Sequence, residues 1–222
     1  MNTEKFMVKV HPSSMITEAY RKVVTNIQYA NIDNEIKTIM VTSAMLGEGK
    51  TTTLCNIASV MSDLSKKILI VDMDFHRPSV HKFFNLPNKY GLTDLLMNKD
   101  DYSKYLNDVY PELDILTVGK IPSNPAELVN SKSIKELLKV LSLNYDYIFL
   151  DTPPIALVSD SINISTYADA VILVVAYGET EIETIRKSVD SLKQVNANIV
   201  GTVLNKLPVA RQNKRYKNCL TY

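Results

Sequence analysis

The 222-residue sequence predicts an α/β fold, a mostly parallel β-sheet with helices on both faces. Three observations predict it. Six runs rich in apolar and β-branched residues, "TIMVTS", "KILIVDMD", "LDILTVG", "YDYIFLDTPP", "AVILVVAY" and "ANIVGTVLN", are spread from Thr38 to Asn205. Helical patterns lie between most of them, and continuous apolar strands alternating with helices imply a parallel sheet buried on both sides. A glycine-rich segment joins the first strand to a helix, and carboxylates end two later strands.

At the amino end, "HPSSMITEAYRKVVTNIQYA" places Ile16, Tyr20, Val23 and Ile27 on one helical stripe, after serines suited to an N-cap. A helix over about 13–31 follows, with Glu18, Arg21, Lys22 and Thr25 on its other face. The strand "TIMVTS" then runs into "SAMLGEGKTTT", Ser43 to Thr53, and "LCNIASVMSDLS" continues at helical spacing. Gly47 and Gly49 let the backbone curl so that successive N–H groups point inward, and the helix adds the positive end of its dipole. That is a phosphate cradle, formed by Gly47, Glu48, Gly49, Lys50, Thr51 and Thr52. Lys50 is suited to β- and γ-phosphates, and the Thr51 hydroxyl to the magnesium ion that bridges them. The pattern G-x-x-x-x-G-K-[ST] is met except that Ala44 stands at the first glycine.

"KILIVDMD" ends in Asp72 and Asp74, and "YDYIFLDTPP" carries Asp151. Ligands of open α/β sheets gather beyond the carboxyl ends of strands. Strand alternation gives Asp72 and Asp74 the same facing. One such acid alone could simply cap a helix. Three beside a phosphate loop suit a magnesium–phosphate site that needs anionic metal ligands and a base for an attacking hydroxyl. From Ser79 to Glu112 the chain is polar and irregular, read as short helices over one sheet edge. After Asn205 it becomes "KLPVARQNKRYKNCLTY", basic and poorly patterned. The expected organisation is one domain over 1–207 and a flexible tail over 208–222 that carries Tyr216 and Tyr222.

A formal charge of +1 and a pI near 7.7 show no global bias toward nucleic acid or anionic membrane. Cys55 and Cys219 suggest neither a disulfide framework nor a metal site, so a reducing cytoplasm is the expected home. His11, His76 and His81 lack metal-ligand grouping. "AVILVVAY" is too short to span a bilayer, and a soluble chain is expected.

The ordered segments resemble those of the bacterial tyrosine kinases, or BY-kinases, of capsular and exopolysaccharide clusters. "SAMLGEGKTT" is similar to their Walker A, "ILIVDMDFHRP" to their Walker A′ and "YIFLDTPP" to their Walker B. "EAYRKVVTNI", "GLTDLL", "PSNPAEL" and "GTVLNK" extend the likeness over almost the full length. The resemblance implies a P-loop NTPase-type sheet and ATP-dependent autophosphorylation of tail tyrosines, here Tyr216 and Tyr222. It implies ATP and Mg2+ as cofactors, with Lys50, Thr51, Asp74 and Asp151 around them and Asp72 as the base. Asn205 would contact adenine, although a turn-forming asparagine reads nearly as well. It also implies a membrane adaptor of the polysaccharide co-polymerase type at the inner face of the cell membrane. Assembly into a homo-oligomeric ring through Glu18 and Arg21 completes the expectation. In that ring motif, E-x-x-R-x-x-R, Val24 takes the last basic place; Leu46 and His76 replace a proline and an arginine frequent in the family. A partition or septum-type ATPase carries a lysine where Met45 stands. An ATP-sensing regulatory module is the remaining alternative.

Overall fold

Strands with apolar residues on both faces need helices above and below, and the chain supplies them in alternation. The structure, a computed structural model, describes residues 6–31, 35–98 and 101–208. Tyr216, Tyr222 and Cys219 lie outside the described residues. In chain order the elements are α1 (Met7–Val10), α2 (Met15–Ala30), β1 (Thr38–Ser43), α3 (Lys50–Asp63), β2 (Ile68–Asp72), α4 (Val80–Phe84) and α5 (Leu92–Asn98). Then come β3 (Leu106–Tyr110), β4 (Leu113–Leu116), α6 (Pro125–Val129), α7 (Lys132–Ser142) and β5 (Tyr147–Asp151). α8 (Asp160–Ser165), β6 (Ala170–Ala176), α9 (Ile182–Gln194) and β7 (Ile199–Asn205) complete the order.

The sheet order is β3-β4-β2-β5-β1-β6-β7, and every neighbouring pair is parallel except β3–β4. Side-chain alternation divides the core in two. Ile39, Val41, Ile68, Ile70, Phe149, Ile172 and Val174 pack toward α1 to α4. Met40, Leu69, Val71, Ile148, Leu150, Leu173 and Val175 pack toward α5 to α9. Both faces are therefore covered, which explains why β1, β2, β5 and β6, four of the five inner strands, read as apolar runs. Among the described residues no helix is long and apolar enough to cross a membrane.

Several expectations are corrected. The buried stripe of α2 is Thr17, Val24 and Ile27, with Tyr20 and Val23 partly buried, while Ile16 is 40% exposed. Thr17 belongs inside because its hydroxyl donates to the His11 carbonyl at 2.7 Å, and Ser14 is the N-cap, accepting from Thr17 N. The polar stretch from Ser79 to Glu112 holds helices, as read, but also β3, the antiparallel edge strand. β2 ends at Asp72, so strand alternation does not reach Asp74, which lies in the loop beyond it. The four-residue α1 had no sequence signal. It is anchored by Phe6, whose ring packs against Phe83, Phe84 and Tyr110 with centroids 5.3 to 5.6 Å apart.

Candidate active site

β1, β2 and β5 lie side by side, and the pairing register sets Asp72 opposite Asp151. The loop after β1 therefore faces the acids that end its neighbours. Gly47 and Gly49 take φ of +80° and +92°, a region that L side chains disfavour. A Cβ on Gly49 would lie 2.2 Å from Asn205 Nδ2, so glycine is also required by close approach. Glu48 turns its side chain inward: one carboxylate oxygen accepts from Met45 N, the other from Ala176 N and the Thr180 hydroxyl. The loop is thus braced to the end of β6. The Glu48 carbonyl accepts from Asn205 Nδ2 at 2.8 Å, which ties it to β7 as well.

A cavity of about 480 Å³ opens over this loop. Of the residues expected to bind nucleotide or metal, Gly47, Gly49, Lys50, Thr51, Thr52, Asp74 and Asn205 line it. Asp72 and Asp151 lie behind the wall. Lys50 Nζ donates to Asp74 Oδ2 at 3.0 Å and sits 3.7 Å from Asp151 Oδ1. Thr51 donates its hydroxyl to Asp151 Oδ2 at 2.6 Å, so Ser79, 2.8 Å away, must donate to Thr51. Asp72 is fully buried and accepts three backbone N–H groups, from Asp74, Ser79 and Val80. Burial first, then the Asp151 charge, pushes the Asp72 carboxyl up to about 8 despite those donors. Burial likewise raises Asp151, against the opposing pull of Lys50 and Thr51. Burial alone would lower Lys50, but Asp151, Asp74 and Asp72 more than offset it and hold the ammonium protonated.

Three features fit a magnesium–phosphate group. Asp151 Oδ1 is buried with no hydrogen-bond partner among the described residues. The cradle is kept open by glycines, and the inward oxygens of Thr51, Asp74 and Asp151 are the hard donors that magnesium selects. No group of three or more His, Cys, Asp or Glu among the described residues forms a cage by itself. An ion here would complete its shell with phosphate oxygens and water, as is usual for magnesium.

Sequence reasoning missed Ser79, Arg77 and Lys82, which also line the cavity. The basic pair in "HRPSVHK" just past the acids was the available signal. His76, at the place of an arginine, instead pairs through Nε2 with Asp160 Oδ2 at 2.8 Å. Glu18 and Arg21 are exposed on α2 and pair with each other.

A mostly parallel sheet, a glycine-cradled lysine at the start of α3 and acids ending two adjacent strands define a P-loop-type nucleotide-binding protein. Comparison with known proteins narrows this. A family model described as an AAA domain matches residues 36–205. The tyrosine-protein kinase YwqD of Bacillus subtilis is 40% identical over 195 residues, covering 87% of this chain and 82% of that protein. The chimerical protein CapA2B2 superposes with a TM-score of 0.88 at 34% identity, covering 92% and 91% of the two chains. The kinase domain of the Escherichia coli tyrosine kinase ETK gives 0.86 at 28% identity, covering 91% and 82%. The chain belongs to the bacterial tyrosine-protein kinases, and the partition-type alternative is set aside.

Proposed function

We propose that the protein transfers the γ-phosphoryl group of ATP to Tyr216 and Tyr222 of a neighbouring copy, and that this controls polysaccharide chain length and export. One observation carries the reading: at the phosphate cradle, Lys50 is held between Asp74 and Asp151. The backbone of residues 47–52 and the Lys50 ammonium would hold the phosphates. Thr51, Asp74 and Asp151 would hold magnesium, which when bound neutralises charge on the β- and γ-phosphates. Asn205 Oδ1 offers an acceptor to the adenine amino group. Asp72 is assigned as the base for the tyrosine hydroxyl; Asp74, which lines the cavity, is the carboxylate that a substrate meets first. Support for partners is coarser. The family likeness favours a membrane adaptor of the co-polymerase type, a ring of copies and a cytoplasmic site at the inner membrane face, with no role for nucleic acid.

Mass-spectrometric mapping of phosphotyrosine after incubation with magnesium ATP, with and without an adaptor's cytoplasmic segment, tests the reading. Labelling of Tyr216 and Tyr222 that disappears in Lys50→Met is the expected result. Tight ATP binding with no phosphotyrosine under either condition would instead favour an ATP-sensing module.

A further inference from the structure

A second cavity, of about 520 Å³, opens at the other end of the sheet from the phosphate loop. Thr38 lines it at the start of β1, whereas the phosphate loop leaves the end of the same strand at Ser43. At about 3.3 Å per residue, β1 sets the two places roughly 17 Å apart, so they are separate sites. Ligand sites usually run to about 300–1,000 Å³, and this cavity falls within that range. Lys37, just before β1, lines it together with Lys135 and Lys139 of α7.

Two acids line the cavity as well, Glu35 and Asp169, so the charges must be placed one by one. Lys37 Nζ donates to the Ser142 carbonyl at the end of α7 at 3.1 Å and lies 3.8 Å from Glu35 Oε1, which matches its charge. Asp169 Oδ2 accepts the backbone N–H groups of Lys37 and Thr38 at 3.0 and 2.7 Å, so that oxygen is engaged in holding the start of β1. The cations left on the α7 wall are Lys135 and Lys139. Lys135 Nζ stands 4.9 Å from the centre of the Tyr167 ring, and the Tyr167 hydroxyl donates to the Val129 carbonyl, which fixes that ring. Residues one helical turn apart have Cβ atoms about 5–6 Å apart, so the two ammonium groups can converge on one anion. Leu138, buried, forms an apolar part of the wall, and Leu143, 82% exposed, an apolar lip.

We propose that this cavity binds a phosphate monoester carried on an apolar body, with the phosphate between Lys135 and Lys139 and the body against Leu138 and Leu143. A phosphate monoester carries a charge of about −1.5 to −2 at neutral pH and three acceptor oxygens, enough to meet two ammonium groups at once. A carboxylate neutralises only one. The same chemistry is found on soluble organic phosphates and on the headgroup of a phosphomonoester lipid. Leu143 suits both, since it can cover the apolar part of a small ligand or enter an acyl layer. The site makes and breaks no bond, and it does not depend on the reaction carried out at the phosphate loop.

The test uses the full-length protein saturated with magnesium and a non-hydrolysable ATP analogue, so that the phosphate loop is closed to the probe. In one arm phenyl phosphate is titrated calorimetrically at low ionic strength, where surface charges are least screened. In the other the protein is floated with phosphatidylcholine vesicles, with and without phosphatidic acid. Saturable binding of phenyl phosphate supports a soluble ligand, and flotation that requires phosphatidic acid supports a lipid. In either case the Lys135→Gln/Lys139→Gln double variant should bind about tenfold more weakly, equivalent to ~1.4 kcal/mol, with the same affinity for the ATP analogue and the same melting temperature as the parent. Lys135→Arg/Lys139→Arg, which keeps both charges, should retain binding. Benzoate, with the same ring and a single carboxylate, should bind about tenfold more weakly than phenyl phosphate. The site is overturned if neither probe binds, if benzoate binds as well as phenyl phosphate, or if the glutamine variant binds as well as the parent. A loss in that variant that runs in parallel with a loss of nucleotide affinity overturns it too.

Discussion

Gly49 shows how much one hydrogen atom in place of a methyl group decides. Its φ of +92° costs an L residue on the order of 1–3 kcal/mol, and a Cβ there would displace the Asn205 amide from the Glu48 carbonyl. Gly49→Ala should therefore lower stability by roughly 2 kcal/mol and weaken nucleotide binding at least tenfold. A denaturant titration and an equilibrium titration with an ATP analogue measure the two effects separately; an alanine variant that kept both would mean that the loop relaxes freely. His81 offers a pH-dependent counterpart. Partial burial, and then the Lys82 cation, lower its pKa below the ordinary value near 6.5, so the folded state favours the neutral ring. The contribution is present above that value and is lost as pH falls through it. His81→Asn should thus show a slightly shallower fall in melting temperature from pH 7 to pH 5 than the parent. The difference should be small because the ring is only partly buried.

At the level of elements, α2 separates what surface chemistry can supply from what the core dictates. Glu18 and Arg21 pair along the exposed face, and such a pair contributes only about 0.2–0.5 kcal/mol to the helix. Arg21→Ala should leave the thermal melt almost unchanged while lowering the mass seen by light scattering; an unchanged oligomer would count against a ring contact here. Val24 is different, since it is 1% exposed in the cluster that α2 shares with α3. The last cation of the ring motif cannot be restored there: Val24→Arg would bury an unpaired charge and should destabilise the fold by more than about 3 kcal/mol, read by denaturant midpoint. The sequence made the inner strands legible because burial on both faces leaves unbroken apolar runs, as in "AVILVVA" of β6. β3 escaped because "LNDVY" is a half-buried edge strand with mixed polarity and a register irregularity between Asp108 and Tyr110. The phosphate loop and its acids were legible from spacing and strand ends. The inward turn of Glu48 and the lysine-lined cavity at the start of β1 were not, because their partners, Ala176 and Thr180 in one case and Ser142 and Asp169 in the other, lie more than a hundred residues away along the chain.

For the whole molecule, the question is whose tyrosine enters the site. From Pro208 to Tyr222 the chain has 15 residues, which when extended reach roughly 50 Å. A domain of about 200 residues has a radius of gyration near 17 Å, so the segment can reach its own site or that of a neighbour. Reach does not choose between them; concentration and charge do. In a ring, neighbouring segments would stand at high effective concentration around each site, and "RQNKRYK" would be drawn to a phosphate-loaded site. Phosphate on Tyr216 adds a charge of about −1.5 to −2 and replaces that attraction with repulsion, so modification should loosen the assembly. Mixing full-length Lys50→Met with an active chain ending at Val209 isolates transfer between copies, because the only complete tails belong to the inactive partner. Lys50 offsets three buried acids, so circular dichroism must first show that the inactive partner is folded. The expected result is phosphotyrosine at Tyr216 and Tyr222 of that partner, appearing faster as total protein concentration rises. If the intact protein labels itself while the folded inactive partner stays unlabelled in the mixture, each site serves its own tail and transfer between copies is wrong.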